Sequence, residues 1–136
     1  MTKKGAINVS RLHRSNSRIL SAKEKNNQPD SSFIVIERGG KKDGENKTMP
    51  RNFRHLLFKI NSKVDLPHLR NAMARANQIK AFSPKDSTER IRAVAKSRLA
   101  GLARKYLESS EYSKSEKVRL ALAYVRMELQ DHFPIK

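Results

Sequence analysis

Two of the four histidines, His55 and His68, sit on either side of a carboxylate, Asp65, in the most basic stretch of the chain. Histidine and aspartate together serve either metal binding or proton transfer. A metal site would need a third or fourth ligand in register. Thirteen residues separate the two histidines, which is not the i, i+4 spacing of a helical pair, and the chain has no Cys to complete a tetrahedral set. Proton-transfer chemistry would need a nucleophile or a binding place for the scissile group, and no residue pattern marks one. The local reading is that His55 ends a strand and His68 hydrogen-bonds within a first helical turn. A second constellation, Gly39, Gly44, Lys47 and Thr48, has the composition of a phosphate-binding loop. Glu45 and Asn46 follow Gly44, however, so the Gly-Lys-Thr order that cradles phosphates is broken. No catalytic residue, metal or cofactor is expected.

The cations remain. The chain carries 30 Lys and Arg against 13 Asp and Glu, a net charge of +17. Residues 51–81 hold seven cations against Asp65 alone, and residues 1–29 hold seven against one, whereas residues 111–136 are nearly balanced at five against four. Such asymmetry points to a polyanion, most commonly nucleic acid, with an anionic membrane surface or an acidic protein as rarer alternatives. Arg51, Arg54, Lys59 and Lys63 flank one expected strand and form a central patch. Arg70 and Arg75 extend it along a helix, His55 and His68 lie among them, and Arg11, Arg14 and Arg18 supply a basic arm. Lys and Arg at such positions bind phosphates with little regard to base sequence and with steep salt dependence. Phe53 and Phe58 have the type to stack on bases, although alternate strand positions usually face a core. No helix-turn-helix pattern supports base readout.

These residues need elements to position them. With 37% hydrophobic and 6% aromatic residues in a 136-residue chain, one modest core is expected. No apolar run approaches the roughly 18–20 residues of a membrane span, and the N-terminus lacks the apolar core of a secretory signal. Residues 1–29, rich in Ser, Asn, Lys and Arg, are expected as a disordered basic arm. The β-branched run within 31–38 and the apolar residues 53–60 are expected to pair as a minor β-hairpin spanning 30–62, across a loop of about fifteen residues. Three helices follow. The first, over 65–82, starts from the N-cap Asp65 with Pro67 in its first turn. The second, over 84–108, starts from Ser83-Pro84, and Gly101 within it is expected to mark a close helix crossing. The third, over 114–132, starts from the capping box Ser113 to Glu116. Its stripe runs through Val118, Ala121, Leu122, Val125 and Leu129, and Leu120, Tyr124 and Met127 widen the apolar face as a helix packed on two sides would need. The fold class expected is mainly α: a small three-helix bundle with the minor hairpin and the arm.

One resemblance can be drawn. Asp30-Ser-Ser-Phe33, Gly39-Gly-Lys-Lys-Asp43, Lys47-Thr48, Pro50-Arg51, Arg54-His55, Lys63-Val-Asp-Leu-Pro-His-Leu-Arg-Asn-Ala72 and Ala74-Arg75 occur in an order that resembles a small domain of unknown activity recurrent in bacteriophage and prophage proteins. It also resembles segments appended to phage capsid-maturation proteases. The resemblance spans roughly residues 30–107 and departs from the pattern at Leu56-Leu57-Phe58, where a proline is expected. It implies a phage-related context and carries no activity.

The expectation is therefore a non-enzymatic protein that binds DNA or RNA through phosphate contacts, cytoplasmic or virion-associated and not secreted. The alternative is an assembly accessory of a phage-like particle, in which Leu120, Tyr124 and Met127 of the third helix engage a protein partner or a second copy.

Overall fold

Residues 20–132 are described by the structure, a computed structural model. Arg11, Arg14 and Arg18, expected on the arm, lie outside the described residues. Within them the fold is mainly helical with small antiparallel strand pairs.

The first element corrects the expected arm. Ser21 and Glu24 form a reciprocal capping box, with Glu24 N–H donating to Ser21 Oγ at 3.1 Å and Ser21 N–H to Glu24 Oε1 at 3.0 Å. They open helix α1, Ala22–Asn26. Five residues are too few to hold a helix alone. Here the Arg54 guanidinium meets its C-terminal end, donating to the carbonyls of Gln28 at 2.6 Å and Asn26 at 3.1 Å. A cation there satisfies orphan carbonyls and complements the helix dipole. Gln28 is itself buried, and its side-chain oxygen accepts from Asn61 N–H at 3.0 Å. Residues 21–28 thus belong to the folded body.

The expected hairpin forms. Strand β1, Phe33–Ile36, pairs antiparallel with β4, Arg54–Leu57, in the register Phe33 to Leu57, Val35 to His55 and Ile36 to Arg54. The long connection is not slack. It contains its own pair, β2 (Lys41–Lys42) with β3 (Thr48–Met49), and Asp43 Oδ1 accepts from the N–H groups of Glu45 and Lys47 at its tip. Asp30 fastens this inner hairpin by accepting from Thr48 N–H at 2.9 Å and Thr48 Oγ1 at 2.6 Å. Gly39 has φ +95, and a Cβ on Gly40 would lie 2.7 Å from the Met49 carbonyl oxygen, so both glycines are required here. A third pair, β5 (Lys59–Ile60) with β6 (Lys63–Val64), turns through Asn61 and Ser62, both at positive φ as a type I′ turn demands.

Helix α2, Leu66–Arg75, begins as expected at Asp65, whose carboxylate accepts from His68 N–H at 3.1 Å. It ends seven residues short of the expected 82. The backbone beyond it is taken up by distant side chains: Arg92 Nε donates to Ile79 O at 2.7 Å, Thr88 Oγ1 accepts from Ala81 N–H at 3.0 Å, and Glu37 accepts from Phe82 and Ser83 N–H. Helix α3, Thr88–Leu107, starts at the N-cap Ser87 rather than at Ser83. Ser83 donates its hydroxyl to Arg38 O at 2.6 Å, and Asp86 accepts from Arg38 N–H at 2.8 Å, so both residues of the expected box are used in tying the chain to the end of β1. A Cβ added at Gly101 would meet nothing within 4 Å, so no close helix crossing explains it. Helix α4, Lys114–His132, starts from the Ser113–Glu116 box as expected.

The core joins β1 to the three long helices through Ile34, Leu69, Met73, Ile91, Leu99, Leu120 and Met127, all essentially without solvent contact. Here the last helix packs on one side, not two. Leu120 and Met127 are core residues and Tyr124 packs against them, so these three do not form a partner face. Val118, Leu122, Val125 and Leu129, expected on a packed side, are exposed. The helix has two apolar stripes, and periodicity alone does not say which one meets the body.

Candidate nucleic-acid interface

The expected central patch divides in two. Arg54 is 5% exposed, its guanidinium lies 4.3 Å from the Phe33 ring centroid, and its Nη atoms serve the carbonyls at the C-terminal end of α1. Burial pulls its pKa down, opposed by the nearby Asp30 carboxylate. Arg51 is half-buried; its Nη2 donates to Asp43 Oδ2 at 2.7 Å and its Nη1 to Thr48 O at 3.1 Å. The Lys47 N–H and the Arg51 guanidinium hold the Asp43 carboxyl well below the usual carboxylate range. Both arginines are therefore ties within the fold, not contacts offered to a ligand. Lys59 and Lys63 do stand on the outer β5–β6 hairpin, Lys63 exposed and Lys59 half-buried with its ammonium 5.5 Å from the Phe58 ring centroid. Phe53 and Phe58 are buried and cannot stack on bases.

What the fold does assemble is a cleft of about 700 Å³ between β4 and α2, with α1 at its edge. Its charged and imidazole lining is Lys25, Arg54, His55, His68 and Arg75, with Asn71 and Gln78 as amides and no carboxylate among the lining residues. Lys25 and Arg75 are exposed. Carboxylates stand one layer behind, each holding an imidazole. Asp65 Oδ2 lies 2.5 Å from His68 Nδ1, so the residue that caps α2 also orients the ring. Glu37 Oε2 lies 2.6 Å from His55 Nε2, and the same buried carboxylate accepts from Ser83 N–H at 2.7 Å and Phe82 N–H at 2.9 Å. Beyond the cleft, the Phe82 ring lies parallel to the His55 ring, with centroids 6.1 Å apart and planes within 3°. Phe82 is 60% exposed. Leu56, in the cleft wall between His55 and Leu57, has φ +65, a costly conformation for a leucine and one fixed by its surroundings.

Of the residues expected from sequence, His55, His68 and Arg75 are brought together with the inner edge of Arg54. Arg70 lies outside this lining. It is pulled below its ordinary pKa by burial and then by Arg119 of α4, opposed by Asp65 and Glu116. Two residues went unrecognised in the sequence. Lys25 falls within the expected arm and Phe82 at the expected end of a helix; an aromatic directly before Ser83-Pro84 is the sequence signal for the latter. Among the described residues no group of three or more His, Cys, Asp and Glu side chains is placed to hold a metal ion, and no helix is long and apolar enough to cross a membrane. The arrangement sets the exposed cations Lys25 and Arg75 in one cleft with two imidazoles oriented by carboxylates, and an exposed ring stands beyond it. In comparison with known proteins, no family model, curated protein or solved structure matches the chain.

Proposed function

We propose that the chain is a non-enzymatic nucleic-acid-binding protein that grips the phosphate backbone in the cleft between β4 and α2. The observation that carries this reading is the cleft's charged lining, which is cationic or imidazole throughout while Glu37 and Asp65, the carboxylates paired with its imidazoles, do not line it. Lys25, His68 and Arg75 make the phosphate contacts, and Phe82 offers a face on which an unpaired base stacks. Lys59, Lys63 and the arm residues Arg11, Arg14 and Arg18 add sequence-neutral attraction. Arg51 and Arg54 act indirectly, by holding the inner hairpin and α1 in place. In this reading the three long helices serve as a small bundle that carries the cleft, and the setting is the cytoplasm or a phage-like particle, in keeping with the resemblance over roughly residues 30–107.

The test is fluorescence-anisotropy titration with single- and double-stranded DNA and RNA of matched sequence over a salt series. Binding that weakens steeply with salt and favours unpaired strands is the expected result. Absence of binding to all four at low salt would reject the reading.

A further inference from the structure

Helix α4 presents a second surface that nucleic-acid binding does not use. Val118, Leu122, Val125 and Leu129 are 52%, 50%, 49% and 49% exposed. Their spacing of four, three and four residues places them in one straight line that is roughly 60° wide at 100° per residue. The opposite side of the same helix carries the core residues Leu120 and Met127, so the two stripes are separate surfaces. Arg119 and Arg126, both exposed and seven residues apart, run along one edge of the outer stripe. Arg119 also lies near Arg70 of α2, with Asp65 and Glu116 in the same neighbourhood.

Each feature narrows the occupant. A stripe this narrow with heptad spacing is the seam of two packed helices, whereas a helix lying in a bilayer surface presents a broad apolar face. A second copy of this chain is a poor fit. Antiparallel pairing would bring the two arginine edges together, parallel pairing would set Arg126 against Ala121, and each chain carries a net charge of +17. Carboxylates along the facing edge would complement Arg119 and Arg126.

We propose that the outer face of α4 docks one acidic amphipathic helix of another protein, with apolar residues at heptad spacing and Glu or Asp flanking them. This stands apart from the nucleic-acid reading and does not depend on it.

The experiment uses the full chain and three labelled synthetic peptides of about three heptads. One has Leu at the seam and Glu at the flanking positions, one has the same seam with Lys flanks, and one is a scrambled version of the acidic peptide. The acidic heptad peptide should bind. The Lys-flanked and scrambled peptides should bind at least roughly tenfold more weakly. The Leu122→Ser/Val125→Ser variant changes exposed positions only, and its fold is checked by circular dichroism. It should lose the preference, and Arg119→Glu/Arg126→Glu should transfer it to the Lys-flanked peptide. Equal binding of the scrambled peptide would overturn the proposal, since charge alone would then suffice. So would sedimentation of the unliganded chain as a dimer that Leu122→Ser/Val125→Ser dissociates, because a second copy would then be the occupant.

Discussion

The Glu37 carboxylate lies 2.6 Å from His55 Nε2, and both residues are buried. The same carboxylate accepts the backbone N–H groups of Phe82 and Ser83, so one side chain joins the end of β1, strand β4 and the segment leading into α3. It also fixes the imidazole between the cleft and the Phe82 ring. Replacing Glu37 with Ala leaves three donors without an acceptor. With a net cost of about 1 kcal/mol for each, the loss should be about 3 kcal/mol in urea unfolding, and Glu37→Gln should lose less because one acceptor oxygen remains.

Arg54 and Arg75 should separate stability from binding. Arg54→Lys removes the forked contact to the Asn26 and Gln28 carbonyls at the C-terminal end of α1, and one ammonium cannot span them. Its cost should be about 2 kcal/mol of unfolding free energy, and α1 should lose protection in hydrogen exchange. Arg75→Ser should leave the unfolding free energy within about 0.5 kcal/mol and weaken oligonucleotide binding instead.

Much of this division was legible in the sequence and some of it was not. Capping boxes are local, so the starts of α2 and α4 at Asp65 and Ser113 were readable, as was the pairing of the two apolar strands. The end of α2 and the start of α3 depend on Glu37, Arg38, Thr88 and Arg92 reaching backbone groups far away in sequence, which no local period records. Charge counting could not tell Arg54, which is used inside the fold, from Arg75, which is exposed; both are simply arginines in a basic stretch. Two apolar stripes on α4 left its inward side undetermined until α2 and α3 packed against Leu120 and Met127.

The glycines give a paired test. Gly101 sits in a helix interior with open space where a Cβ would go, so Gly101→Ala should stabilise the fold by about 0.5–1 kcal/mol in thermal or chemical unfolding. Gly40→Ala places a Cβ 2.7 Å from the Met49 carbonyl oxygen and should destabilise it. A stabilised Gly40→Ala variant would show that the inner hairpin is not packed this way.

Acid should unfold the protein through its aspartates. Burial raises the Asp30 pKa, but hydrogen bonds from Lys42 and Thr48 outweigh it and hold the carboxyl at about 2. Asp43 is lowered by the Lys47 N–H and Arg51, and Asp86 by Arg90. The unfolded chain takes up protons at these groups near the ordinary carboxylate value of about 3.9, while the folded chain resists until lower pH. Their stabilisation is therefore complete above about pH 4–5 and falls away as pH drops toward 2. Asp30→Asn should lower stability at neutral pH and flatten the decline between pH 4 and 2, measured by urea unfolding at each pH.

The most direct test of the central claim is the salt dependence of single-stranded oligonucleotide binding for the native chain and for Lys25→Ser/Arg75→Ser. Both substitutions are at exposed residues of the cleft. If the cleft holds the phosphates, the variant should bind more weakly and its log–log salt slope should be shallower by roughly 1.4, about 0.7 for each lost contact. Identical affinity and slope in the two proteins would place the phosphates elsewhere and contradict the account.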